Sequence, residues 1–232
     1  KSRAWAAAWS GRSKDMFAFY NPELYSIANE SFTGFRANKE RLFKLFPWLH
    51  TIVSNVQALP GPGYWVTWFS QYYRAPNMTA EGIRRLYWQK NADGDFRIVG
   101  MEWIEQDMGM AAEYLETVEP GISDFIEKWR AAWENGDLKA YAAAYAPDAV
   151  QGGRRGRNAI SQHKEALWRN ARPTKVEFSG VFLATDSGGI KVDMQQSFSD
   201  AKGFSDKGIK TLILTPTATG WAIVSEDWTA ES

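Results

Sequence analysis

Cysteine is absent from the 232 residues, which excludes disulfides, thiolate metal ligands and a cysteine nucleophile. Histidine is scarce: His50 and His163 are the two present. Neither has a carboxylate partner at a recognisable spacing, and a metal site needs three or four convergent ligands, so no metal and no other cofactor is expected. Neither sign of charge is in excess, with 27 Lys plus Arg against 27 Asp plus Glu. No overall field therefore draws nucleic acid or anionic lipid. No apolar run approaches the ~20 residues that span a bilayer, so no membrane span is expected. Lys1 does not begin a signal peptide, and a chain opening there reads as a processed or excised piece.

What is abundant is apolar and aromatic. Hydrophobic residues make up 44% and aromatics 15%, with 12 Trp, enough to build packed cores and to exclude a disordered chain. The length fits one large domain or two of about 115 residues, and an internal repeat decides for two. Trp5-Ala6-Ala7-Ala8-Trp9 stands against Trp129-Arg130-Ala131-Ala132-Trp133, and Tyr20-Asn21-Pro22-Glu23 against Tyr145-Ala146-Pro147-Asp148. Phe69-x-Gln71-x-Tyr73 matches Met194-x-Gln196-x-Phe198, and Gly82-Ile83-x-x-Leu86 matches Gly208-Ile209-x-x-Leu212. Near the ends, Phe96-x-Ile98-x-x-x-Glu102-Trp103 faces Trp221-x-Ile223-x-x-x-Asp227-Trp228. Met108 to Glu119 looks helical and Pro120-Gly121 punctuates, so the copies are expected at 1–117 and 118–232.

Within a copy the hydrophobic period changes once. In copy two, Phe125, Trp129, Ala132 and Trp133, then Leu138, Tyr141 and Tyr145, read as a helical hairpin ended by Pro147, and Gly156 to Asn170 as a third helix. Four alternating strands follow, Lys175–Thr185, Ile190–Ser199, Gly208–Thr215 and Gly220–Thr229. Copy one offers His50–Leu59, Tyr64–Arg74, Gly82–Gln89 and Phe96–Ile104. Three helices before an antiparallel meander predict segregated α+β, a curved sheet wrapped on a helix around a conical hollow.

The Trp-x-x-x-Trp helix, the Tyr-x-Pro-Asp/Glu helix end, the Phe-x-Gln-x-Tyr strand and the closing Trp-x-Ile strand resemble the nuclear transport factor 2-like (SnoaL-like) superfamily, in tandem copies. More narrowly, they resemble the C-terminal accessory domain of YafK-type bacterial L,D-transpeptidases. The resemblance covers nearly the whole chain and implies two cone-shaped α+β domains. It further implies the non-catalytic part of an exported, periplasmic cell-wall protein, since the catalytic cysteine of such transpeptidases has no counterpart here. The cytoplasm stays open as an alternative compartment.

Residues that could line the cones come from both copies. Trp5 and Trp9, and Trp129 and Trp133, lie one helical turn apart and form an aromatic face, either a wall for a sugar or peptide or plain core. Gln71 and Gln196 share a strand face with Tyr73 and Phe198; each amide must find a partner, a ligand or a backbone group. Tyr20 and Tyr145 close the helical part. Glu102 and Asp227 precede the last tryptophans, where an apolar surround would raise a carboxyl pKa and equip it as a base, unless they face solvent. The basic stretch Gly152-Gly153-Arg154-Arg155-Gly156-Arg157 lacks the Lys-Ser/Thr of a phosphate loop and reads as a solvated loop.

The leading expectation is a binding module taking a small molecule, a peptidoglycan fragment or a protein partner, with no catalytic residue assigned. The alternative is a SnoaL or ketosteroid isomerase type of enzyme doing acid-base chemistry on a small apolar substrate, for which Glu102 and Asp227 are the candidates. Superfamily members dimerise through open sheet faces. Two copies on one chain are therefore expected to make an internal pseudo-dimer and a monomeric protein, covering Trp65, Trp68, Tyr72 and Trp88.

Overall fold

Helix-forming alanines around Trp5 and Trp9 start the chain in α1, Ser2–Ser10. The computed structural model describes residues 1–25, 27 and 30–231, and its contacts divide the chain into two compact units, Lys1–Tyr114 and Leu115–Ser232. In the first unit a 3₁₀ turn, Lys14–Phe19, follows α1. Helix α2, Phe32–Leu45, comes next, and the Ser31 hydroxyl accepts from the Gly34 N–H to cap it. Strands β1 His50–Gly61, β2 Tyr64–Ala75, β3 Met78–Lys90 and β4 Phe96–Glu105 then pair in sequence order, all antiparallel.

The second unit repeats the plan with additions. Helix α3, Ala111–Glu134, begins in the last turn of the first unit. It leads to α4 Leu138–Ala143, β5 Tyr145–Gln151, the short β6 Arg154–Arg155 and α5 Arg157–Asn170. Strands β7 Pro173–Asp186, β8 Gly189–Asp200, β9 Ser205–Thr217 and β10 Gly220–Ala230 complete a sheet of order β6-β5-β10-β9-β8-β7. Each unit is thus helices packed on a curved sheet whose four long C-terminal strands form an antiparallel meander, the cone architecture expected from the repeat.

Three local readings of the sequence are corrected. Pro120 does not interrupt the helix: α3 runs through it, in an exposed stretch where water can serve the carbonyl that lost its donor. Tyr145 does not close a helical hairpin but opens β5, which runs past Pro147 parallel to β10. The ladder pairs Tyr145 with Ile223 and next Val150 with Ser225, so Pro147 occupies the irregular interval where no N–H is needed. Among the described residues copy one has a single parallel bridge there, Tyr20 to Ile98. Third, Tyr72 and Trp88 are buried in contacts of the first unit itself: Tyr72 packs on Tyr114, centroids 5.4 Å apart, and the Trp88 indole donates to Thr67 Oγ1 at 2.8 Å. Trp65 is the exposed member of the group, at 42%.

The repeated glycines Gly82 and Gly208 have a steric reason. A Cβ at Gly82 would lie 2.1 Å from the Ile104 carbonyl oxygen, and one at Gly208 2.2 Å from that of Thr229. In each unit the last strand crosses the third at this point, opposite Gln71 or Gln196. Gly82→Ala and Gly208→Ala are each expected to cost about 1–3 kcal/mol, as overpacking does. Urea denaturation checks this, and an unchanged midpoint would refute it.

Candidate functional site

The walls of the second cone are set by two periodicities. On α3, Trp129 and Trp133 sit one turn apart with ring centroids at 5.6 Å. Trp129 stacks on Phe178 at 5.5 Å and Tyr141 at 5.8 Å, and Trp133 meets Phe198 at 5.7 Å. On α5, Ile160, Lys164 and Trp168 recur every four residues and are all buried, which puts an ammonium on the apolar stripe. On β9, alternation from Gly208 carries Lys210, Leu212 and Leu214 inward.

The last strand is governed by a bulge. Ile223 pairs with Leu214, but Ser225 pairs with Ile213 and Glu226 with Leu212, a register shift between Ile223 and Ser225. Strict alternation from Ile223 would bring Asp227 inward; the extra residue brings Glu226 instead, 3% exposed. Its Oε1 accepts from Lys210 Nζ at 2.5 Å, and its Oε2 from Gln151 Nε2 at 2.7 Å and from the Tyr145 hydroxyl. Tyr145 is also within 2.6 Å of the Tyr141 hydroxyl, so five polar side chains form one buried network. Burial alone would push the Glu226 carboxyl up, but Lys210 and Lys164, with hydrogen bonds from Lys210 and Tyr145, hold it below the ordinary carboxylate range. Burial and the Glu226 charge push both tyrosine hydroxyls well up.

Above this network lies a cavity of about 480 Å³, bordered by Trp133, Arg154, His163, Lys164, Gln196, Phe198, Asp206 and Glu226 among others. Lys164 is 8% exposed; its Nζ lies 3.7 Å from the Trp133 ring centroid and 5.0 Å from that of Tyr141. It has no hydrogen-bond acceptor among the described residues. Burial lowers its pKa to about 8, Glu226 opposing and Lys210 adding to the effect. Gln196 Oε1 and Asp206 Oδ1 are buried with no donor. Burial raises the Asp206 carboxyl, against a hydrogen bond from Gln196 and the charges of Lys210 and Lys164. Among the described residues the cavity thus offers the Lys164 ammonium without an acceptor beside two buried oxygens without a donor, Gln196 Oε1 and Asp206 Oδ1.

The residues singled out in the sequence fall into three places. Trp129, Trp133, Tyr145, Gln196 and Phe198 converge on the second cone, where Trp133, Gln196 and Phe198 border the cavity and Trp129 and Tyr145 lie beneath it. Trp5, Trp9, Tyr20, Gln71 and Tyr73 form the buried counterpart in the first unit: the Trp5 indole donates to Tyr20 at 2.8 Å and Arg84 Nε to Gln71 Oε1 at 3.0 Å. Glu102 and Asp227 lie elsewhere. Glu102 is exposed on the outer sheet face, accepting from Arg85 and Tyr87, and Asp227 is exposed at the cavity rim. Of the basic stretch, Arg154 borders the cavity while Arg157 Nε donates to the Tyr145 carbonyl at 2.7 Å. Sequence reasoning missed Lys164, Lys210, Glu226 and Asp206 as site residues. The charges at Lys164 and Lys210, each in phase with apolar neighbours, were the available signal; the bulge hid Glu226.

Comparison with known proteins gives a family match. The model of the Cds6 C-terminal NTF2-like domain matches residues 1–102 and again residues 121–227. Similar solved structures include the helical cell shape determining protein Pgp2 from Campylobacter jejuni, 19% identical, with a TM-score of 0.41. That match covers 43% of this chain, and the chain spans only 37% of Pgp2. Bd1075 from Bdellovibrio bacteriovorus is 14% identical over 71% of this chain and 90% of its own, TM-score 0.44. An NTF2-like protein from Pseudomonas putida KT2440 is 20% identical over 50% and 88%, TM-score 0.44. No curated protein matches.

Proposed function

Because the chain belongs to the Cds6 C-terminal NTF2-like domain family, in two successive copies, we propose that it is a non-catalytic binding module whose ligand enters the cone of the second unit. The observation that carries this reading is one cavity holding an ammonium without an acceptor, Lys164, beside acceptors without a donor, Gln196 Oε1 and Asp206 Oδ1. A ligand bearing both a carboxylate or carbonyl and N–H or O–H groups completes the set. Peptides and amino sugars have that chemistry, and a peptidoglycan fragment combines them. An exported, transpeptidase-associated setting belongs to the same proposal.

Acid-base catalysis is the weaker reading for a physical reason. Glu226, the carboxylate within the hydrogen-bonded network, is held ionised below its ordinary range with both oxygens engaged. A base in that state has little affinity for a proton, whereas catalysis near neutral pH calls for a raised carboxyl pKa. Asp206, whose carboxyl burial does raise, lies at the cavity wall under the opposing charges of Lys210 and Lys164.

Calorimetric titration of muropeptides into the full chain and its Lys164→Met variant tests the proposal. Binding by the native chain and a loss of about 10–100-fold in the variant are expected, the worth of one charged hydrogen bond. The variant is also expected to be more stable by about 1–3 kcal/mol, since an apolar chain replaces a desolvated ammonium. Neither heat nor spectral change with muropeptides would reject the cell-wall ligand, and equal affinity in Lys164→Met would reject this cavity.

A further inference from the structure

The strand registers define what stands in the first cone at each level of the second. Arg84 pairs with Phe69 and Trp103 as Lys210 pairs with Met194 and Trp228. Met101 pairs with Leu86 as Glu226 pairs with Leu212, and Ala80 with Tyr73 as Asp206 with Phe198. Lys39 on α2 lies over Trp9, its Nζ 4.6 Å from the ring centroid, as Lys164 lies over Trp133. The first unit therefore carries a cation at both levels and has Met101 and Ala80 where the second has Glu226 and Asp206.

Among the described residues no carboxylate is hydrogen-bonded to either cation. Arg84 Nε donates to Gln71, and its guanidinium carbon lies 4.7 Å from the Trp103 centroid and 6.0 Å from that of Trp9. Among the described residues its remaining nitrogens and Lys39 Nζ have no hydrogen-bond acceptor. Glu30, exposed ahead of α2, is the carboxylate whose charge reaches Lys39. Burial and then the Arg84 charge lower the Lys39 pKa to about 8, and burial lowers Arg84 to about 10. Lys39, Arg84, Met101 and Trp103 are all half-buried, so solvent reaches part of each side chain.

We propose that the first cone is a separate site for a small organic carboxylate with a flat apolar body, held by Arg84 and Lys39 where Glu226 sits in the second unit. A guanidinium fork fits a carboxylate and the bond is charge-assisted. Trp9 and Trp103 flank the body, and the flexible Met101 thioether yields to it. The second cone supplies its own counter-ion; the first takes one from outside. The site does not depend on the cavity of the second unit.

Benzoate is the probe and benzamide, its neutral analogue, the control, each titrated into the full chain at fixed ionic strength while indole N–H resonances are followed. Saturable benzoate shifts at Trp9 and Trp103, with none from benzamide, are expected. Met101→Glu installs the missing carboxylate beside Arg84; it is expected to keep the folded spectrum and weaken benzoate by about tenfold or more. The proposal is overturned by absence of benzoate shifts, by equal shifts from benzamide, by shifts confined to Trp133 and Trp168, or by undiminished binding in a folded Met101→Glu chain.

Discussion

Glu226→Gln is expected to destabilise the protein by about 3–5 kcal/mol, the usual result of removing one partner from a buried ion pair. Lys210 would be left with 5% of its side chain exposed and without its ion-pair partner, against Trp133 at 5.6 Å and near the Lys164 ammonium. The amide keeps one acceptor oxygen and so cannot serve Lys210 on one side and Tyr145 with Gln151 on the other. The neutral amide retains the shape of the carboxylate, so the loss measures charge rather than packing. Pairing the change with Lys210→Met should restore much of the stability, since an apolar replacement of the whole pair removes both desolvation penalties. Chemical denaturation of the two single variants and the double variant decides it. Independent, additive losses would mean that the pair is not the centre of the network.

Acidification is expected to act through His50 at a different place. The imidazole Nδ1 lies 2.8 Å from the Tyr114 hydroxyl, and Trp48, Tyr114 and Arg74 surround the ring. Burial, then the Arg74 charge, lowers its pKa to about 4. The unfolded chain, with His near 6.5, binds the proton first as pH falls. Stability contributed by the neutral ring is therefore complete above about pH 6.5 and lost progressively down to about 4, up to about 3 kcal/mol in all. Glu226 has the same sign but a lower window, because its depressed carboxyl protonates only below the ordinary carboxylate range. His50→Asn should flatten the stability profile between pH 4 and 6.5, read as urea midpoints across pH. A profile as steep as that of the native chain would refute this origin.

Most of the architecture was legible because it depends on periodicities that a duplication prints twice. Trp5 and Trp9 against Trp129 and Trp133 gave the helix face, and Gln71 against Gln196 gave the strand face, on the elements where the structure has them. The reading failed where one residue changes phase or where a covalent rule meets a tolerant setting. One bulge residue after Ile223 turned Glu226 inward in place of Asp227. Pro120 sat harmlessly on an exposed turn of α3, and Pro147 in a gap of a ladder. The cavity chemistry was harder still. Lys39 and Lys164 on helices, Arg84 and Lys210 on strands look like ordinary surface charges, and only their phase with Phe35, Ile160, Leu86 and Leu212 betrays that they point into the cones.

The parallel seating of β5 on β10 has a temporal consequence. Tyr145 and Glu226 meet across 81 residues of chain, and the paired residues of β5 and β10 are separated by at least 75. Loops of that span close late. On a ribosome, the first unit can settle while the second still lacks its heart, and the polar cluster of Tyr141, Tyr145 and Gln151 waits in water until Gly220–Ala230 emerges to supply its anion.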